Sequence, residues 1–217
     1  MKNWSVMFSI LSSRKKQLMS ELPQMLVAVA GNIGSGKTSL ANYVAAQLGW
    51  AVGHESVSEN VYLKDFYSDQ ARWAFHLAMY NLEARIRQQI EWCNSHSRLI
   101  LDRSIYEDRY VFVEMQRESG LMSERDYQCY ISFWDRLIEF SPNPDVVVYI
   151  KAPISKIMER ISDRGREIES GITFEYLDQL EKKYETWIKN FDLCPVKIID
   201  GSLNVSEVGR IAISYLI

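Results

Sequence analysis

Gly31-Asn32-Ile33-Gly34-Ser35-Gly36-Lys37-Thr38 is the stretch on which the fold turns. Its spacing, Gly-x4-Gly-Lys-Thr, is that of a P-loop, a glycine-rich turn between a strand and a helix that wraps a phosphate chain. Glycines let backbone N–H groups face inward around phosphate oxygens, where a Cβ would block the approach. The helix opening near Lys37 presents the positive end of its dipole to the same anion. Lys37 is expected to reach the β- and γ-phosphates, and the Thr38 hydroxyl to ligate Mg2+. Gly31 to Thr38, with the next residue Ser39, form the candidate triphosphate site. A dinucleotide-binding turn is disfavoured, because Ser39 stands where a G-x-G-x-x-G register needs its third glycine.

The flanks fit this reading. Met25-Leu26-Val27-Ala28-Val29-Ala30 is a short, continuously apolar run, as a buried parallel strand requires. An amphipathic helix runs from Thr38 to Leu48 and stops at Gly49. A second strand is expected over about 51–54, then a long helix over 70–95 with aromatics on one side and Glu and Arg on the other. Arg98-Leu99-Ile100-Leu101-Asp102 reads as a buried strand ending on a carboxylate. Helices follow at about 104–118 and 123–139, and Pro142 and Pro144 turn the chain into the strand Asp145 to Ile150. A helix from near Pro153, a charged stretch over 159–170, a helix over 173–190, the strand Val196 to Asp200 and a terminal helix complete the chain. Strands separated by helical crossovers imply an α/β fold with a parallel sheet covered on both faces. Ligands of such sheets bind beyond the carboxyl ends of the strands, where Gly31 and Asp102 both fall.

Length and composition set the frame. The 217 residues suit one domain, read here as 23–217 behind a surface lead-in at 1–22. A net charge of −3 gives no sign of a protein that coats nucleic acid or an anionic membrane. No window approaches the roughly 18 apolar residues of a membrane span. Arg14-Lys15-Lys16 follows a broken apolar stretch, the reverse of a signal peptide's order. Cys93, Cys129 and Cys194 have neither disulfide-ladder nor zinc spacing, which fits a reducing cytoplasm.

A P-loop alone does not separate kinases from GTPases and motors. No Asn in the chain is followed by Lys, so the Asn-Lys-x-Asp guanine reader is absent. Three other constellations carry chemistry. Glu59, in the loop after the second strand, is a candidate acceptor for the proton of an attacking hydroxyl, although most loop glutamates are simply solvated. Asp102-Arg103-Ser104-Ile105-Tyr106-Glu107-Asp108-Arg109 starts at a strand end; Asp102 is placed to help hold Mg2+ and Arg103 to steady phosphate charge. The bland alternative is an acidic first turn of a helix. Arg160 and Arg164 share a helix face, and Arg166 lies just past Gly165. Guanidiniums converging on phosphate would neutralise a loose transition state; the alternative is a solvated salt-bridge face, given Glu159, Asp163, Glu167 and Glu169.

Together these segments resemble the deoxyribonucleoside kinase family, its bacterial branch in particular, from about Met25 to Trp187. The marks are the P-loop, Glu59-Asn60, Asp102-Arg103-Ser104, and Arg164-Gly165-Arg166 followed by Glu175-Tyr176-Leu177. The resemblance implies ATP as phosphate donor, Mg2+, a small deoxynucleoside as acceptor, and a homodimer through the helices near 70–92 and 123–139. It implies that Glu59 is the general base on the 5′-hydroxyl, with Arg103 beside it. Tyr67 and Glu169 match positions that bind the sugar 3′-hydroxyl. Arg85 and Asp108 match the pair facing the base edge, and Phe112 the ring on which the base stacks. Arg160, Arg164 and Arg166 match a lid over the triphosphate.

One position departs from the family. Ala78 stands where relatives carry a glutamine that grips the base, and a methyl neither donates nor accepts. The expected activity is phosphorylation of a deoxynucleoside, a purine favoured. Two rivals remain open: a kinase of another small acceptor, such as a nucleoside monophosphate or modified nucleoside, and a non-catalytic binding subunit.

Overall fold

The computed structural model of the protein describes residues 25–54, 60–166, 169 and 171–217. The lead-in and Glu59 lie outside the described residues. Five strands form one parallel sheet: β1 (Met25–Gly31), β2 (Ala51–Gly53), β3 (Arg98–Asp102), β4 (Val146–Lys151) and β5 (Val196–Asp200), in the order β2-β3-β1-β4-β5. β1 is central, with Val29 opposite Asp102 on β3 and Gly31 opposite Ile150 on β4. The chain fills the β3 side of β1 first and then crosses to the β4 side. The strand ends beside Gly31 are therefore the topological switch point, where α/β sheets open a crevice.

Alternation along β1 explains the two covering layers. Val27 and Val29 point to a core built with Leu40, Val44, Val208 and Ala212 of α1 (Lys37–Leu48) and a terminal helix (Val205–Ser214). Ala28 and Ala30 point the other way, to Ala74, Leu82, Ile105, Leu180 and Tyr184. That second layer holds α2 (Leu63–Ser68), α3 (Gln70–Ser95), α4 (Ile105–Glu107), α5 (Glu114–Glu118), α6 (Glu124–Leu137) and α8 (Phe174–Asn190). α7 (Ile154–Arg164) follows β4, and Val205–Ser214 is α9. A fully buried Val or Leu contributes about 1.5–3 kcal/mol, so both faces of β1 are anchored and its end is a rigid platform. Among the described residues, no helix is long and apolar enough to cross a membrane.

The helix expected over 104–118 is present but not uniform. Asp108–Val113 is a π-helical segment between α4 and α5. Such wide turns concentrate at functional sites, and this one carries both Asp108 and Phe112.

Candidate active site

The P-loop begins where β1 stops. A Cβ on Gly31 would sit 2.7 Å from the Ile150 carbonyl oxygen, at φ 149°, so a larger residue has no room there. Asn32 is fully buried and turned away from the cradle: its Nδ2 donates to the Leu177 carbonyl (2.9 Å) and to Glu181 (3.0 Å), while its Oδ1 accepts from the Ile33 N–H (2.8 Å). Glu181 also accepts from the Tyr149 hydroxyl at 2.5 Å. Asn32, read from sequence as a phosphate-loop residue, thus bolts the loop to α8 through its side chain.

The Lys37 ammonium donates to the carbonyls of Gly31 and Asn32, both at 2.8 Å. The Thr38 hydroxyl donates to Asp102 Oδ2 at 2.5 Å, and Asp102 Oδ1 is buried without a hydrogen-bond partner. A buried carboxylate oxygen left over beside a hydroxyl suits a hard, oxygen-seeking cation. Mg2+ takes only one or two protein ligands and otherwise water and phosphate, so the donor set fits Mg2+; Thr38 and Asp102 are the residues that would hold it.

Two cavities flank this loop. One, of about 360 Å3, runs along Ser35, Gly36 and Ser39 to Arg160, Gly201 and Leu203. Arg160 crosses it, donating to the Ser35 carbonyl at 3.1 Å and the Gly201 carbonyl at 2.9 Å. The other, of about 280 Å3, is lined by Ile33, Tyr67, Ala78, Arg85, Asp102, Arg103, Asp108, Phe112, Arg166 and Glu169, among others. Gly34, Lys37, Thr38 and Arg164 line both. The cavities therefore share a wall made of P-loop residues and Arg164.

Arg103 follows β3 at φ 82°, the one non-glycine residue with positive φ among those described. Held in that strained turn, its guanidinium lies 4.7 Å over the Phe112 ring and reaches the Tyr184 hydroxyl at 3.4 Å. Beneath it, Glu107 is completely buried. Its two oxygens accept from the Gly31 N–H (3.2 Å) and the Ser104 N–H (3.3 Å), tying the P-loop to the turn after β3. Burial pushes the Glu107 carboxyl up from its ordinary value, against the pull of Arg103 and Lys37. In the run Asp102 to Arg109, sequence alone assigns no role to Glu107. The signal was there: Ser104-x-x-Glu107 has the spacing of a capping box, and the half in which Glu107 reaches back to the Ser104 N–H forms.

At the far end of the second cavity, Arg85 of α3 forms an ion pair with Asp108. Phe112 and Ala78 line the same space, so the π-helical segment and α3 bring together all four residues expected to face the base. Toward the mouth, Arg164 binds Glu169 at 2.5 Å, and Arg166 lies 3.7 Å from it. Gly165, left-handed at φ 59°, ends α7 and turns Arg166 back toward the cavity. Burial and the nearby Glu169 carboxylate push the Tyr67 hydroxyl up from its ordinary value, so Tyr67 and Glu169 share one neighbourhood, as the family resemblance implied. On the two helices through which the resemblance implies a homodimer, Tyr130 and Trp134 belong to the core of the protomer, while Trp73, Tyr80 and Trp92 are part-buried.

Residues 27–210 match the family model described as deoxynucleoside kinase. The chain belongs to the deoxynucleoside kinase family. It is 38% identical over 173 residues to a deoxyadenosine/deoxycytidine kinase of Bacillus subtilis, covering 79% of this chain and 80% of that one. A deoxyadenosine kinase of Dictyostelium discoideum is 36% identical over 164 residues, 76% of this chain and 66% of the other. Among solved structures, deoxyadenosine kinase from M. mycoides with bound dCTP superposes on this family member with a TM-score of 0.79 at 28% identity. The match covers 88% of this chain and 98% of that one.

Proposed function

We propose that the protein transfers the γ-phosphate of ATP to the 5′-hydroxyl of a deoxynucleoside, a purine favoured, with release of the 5′-monophosphate and ADP. The observation that carries this reading is the shared wall of the two cavities. A triphosphate laid along the P-loop in the first cavity ends at Lys37, Thr38 and Arg164, which also close the second. An acceptor in the second cavity then meets the terminal phosphorus from the side opposite the leaving group, as in-line transfer requires. A nucleotide hydrolase has no use for a second cavity with an apolar wall, a stacking ring and a paired Arg and Asp at its end.

In this reading Glu59 accepts the proton of the 5′-hydroxyl, and Lys37, Arg103, Arg160, Arg164 and Arg166 carry the charge that spreads over the transferring group. Mg2+, when bound by Thr38 and Asp102, shields the phosphate oxygens. Tyr67 and Glu169 hold the 3′-hydroxyl, and Arg85, Asp108 and Phe112 receive the base. The protein acts as a homodimer through α3 and α6, whose Phe133 is an exposed apolar side chain.

The test is an ADP-release screen of all natural nucleosides and deoxynucleosides with ATP and Mg2+. Turnover with a deoxynucleoside, well above that of its ribo counterpart, supports the reading. Turnover confined to nucleoside monophosphates or to ribonucleosides overturns it.

A further inference from the structure

Asn81 lies on α3 between Ala78 and Arg85, three residues after one and four before the other, so all three sit on the face that lines the acceptor cavity. Its side chain is not free to choose which way round it points. The Tyr62 backbone N–H, which can only donate, donates to Asn60 Oδ1 at 2.9 Å. Asn60 must then present its Nδ2 on the other side, and that group donates to Asn81 Oδ1 at 2.7 Å. A backbone donor thus fixes the orientation of two amides in series, which on their own would be ambiguous. Asn81 Oδ1 is engaged by Asn60. Asn81 Nδ2 has no hydrogen-bond partner among the described residues.

We infer that Asn81, oriented by Asn60, supplies the base-reading hydrogen bond that Ala78 cannot make, and that it does so as a donor. The assignment rests on the deoxynucleoside reading of this cavity. A fixed N–H donor discriminates between bases by the ring nitrogen next to the exocyclic group. In adenine N1 and cytosine N3 that nitrogen is a bare acceptor, and an amino group beside it finds the Asp108 carboxylate as acceptor. In guanine and thymine it carries a hydrogen, which sets donor against donor, and the neighbouring carbonyl meets a carboxylate. The pocket therefore selects amino bases over oxo bases. Asn81 is the specificity-determining residue and Asn60 its positioning residue.

Asn60 then sets the polarity of a contact it does not itself make. Asn60→Asp keeps an acceptor for the Tyr62 N–H but replaces the Nδ2 donor with an oxygen. Asn81 must then reverse its amide to donate to Asp, leaving its oxygen toward the base. A change one residue removed from the ligand should reverse the polarity of the reading, whereas a purely structural loss would lower activity with every base alike.

The experiment measures kcat/KM for deoxyadenosine, deoxycytidine, deoxyguanosine and thymidine at saturating ATP, in wild type, Asn81→Asp and Asn60→Asp. Wild type should prefer the two amino bases. Both variants should lower the amino-to-oxo ratio by about 10–100-fold, since an unpaired buried polar group is worth that much, while KM for ATP stays within about twofold. Wild type should also lose about 10-fold or more with 1-deaza-2′-deoxyadenosine, which puts C–H in place of the ring nitrogen; this measurement needs no variant to fold. A wild type that phosphorylates deoxynucleosides but prefers oxo bases, ignores the deaza change, or keeps its ratios in both variants overturns the role of Asn81 and leaves the kinase reading standing. A wild type that phosphorylates none of the four overturns both.

Discussion

The Arg103 guanidinium lies 4.7 Å over the Phe112 ring, on a backbone held at φ 82°. A left-handed non-glycine residue costs about 1–3 kcal/mol, and the cation–π contact returns about 0.5–1 kcal/mol of it. Strain kept at such a place fits a group pre-positioned for charge on the reacting phosphate. Arg103→Gly should therefore fold at least as stably as wild type in urea denaturation while kcat falls by about 10²–10³. A variant that is both less stable and near-normal in turnover would make Arg103 a structural residue.

Thr38 and Asp102 offer a separable test of metal handling. Asp102→Asn keeps an acceptor for the Thr38 hydroxyl but removes the charge and one carboxylate oxygen. The Mg2+ concentration for half-maximal activity should rise by about 10–100-fold, with metal-free ADP affinity changed little. An unchanged Mg2+ titration would take Asp102 out of the metal site. Lys37→Ala should instead weaken ADP and ATP binding outright, measured by calorimetry, because it removes the cation inside the cradle.

Glu107 gives a pH signature. Its carboxyl ordinarily titrates near 4.5, and burial raises it in the folded protein. The native state then holds more protons than the unfolded chain in the window above about 4.5. Stability is fully present below that window and falls as pH rises through the folded value. Glu107→Gln should remove this slope when unfolding free energy is measured from pH 4 to 8. It should also be destabilised by about 1–3 kcal/mol at low pH, because its amide NH2 must face the Gly31 or the Ser104 N–H, both donors. Equal pH slopes in the two proteins would mean that Glu107 stays ionised in the fold.

The sheet was legible because its strands are buried on both faces: an unbroken run such as Val146-Val147-Val148-Tyr149-Ile150 has few other readings. The long helix expected over 70–95 is α3, Gln70–Ser95. The π-helical segment was not legible, because nothing in Asp108 to Val113 departs from ordinary helical periodicity. The residues proposed to hold phosphate stand in one contiguous motif, whose pattern could be read from spacing alone. The anchoring residues could not: Asn32 and Glu181 are 149 positions apart, and only the packing of α8 on β1 brings them to 3.0 Å. Asn60 and Asn81 are joined in the same way, by how the loop before α2 lies on α3.

Glu169 faces two demands at once. Its carboxylate holds Arg164 at 2.5 Å, yet it is also the group proposed to accept the sugar 3′-hydroxyl. Arg164 must leave Glu169 to meet a triphosphate, and a sugar hydroxyl donating to Glu169 weakens the carboxylate's hold on it. Deoxynucleoside binding should therefore favour ATP binding, and the coupling is reciprocal. Glu169→Gln separates the two roles. Freed of its partner, Arg164 turns to phosphate more readily, so KM for ATP should fall; the pair is about a third exposed on the Arg side, so the gain is at most about fivefold. KM for the deoxynucleoside should rise by about 10-fold or more, because a hydrogen bond to a charged acceptor becomes one to a neutral amide. Steady-state kinetics with each substrate varied in turn measures both. If the two KM values rise together, Glu169 serves only to hold the segment in place, and the proposed opposition between sugar and Arg164 falls.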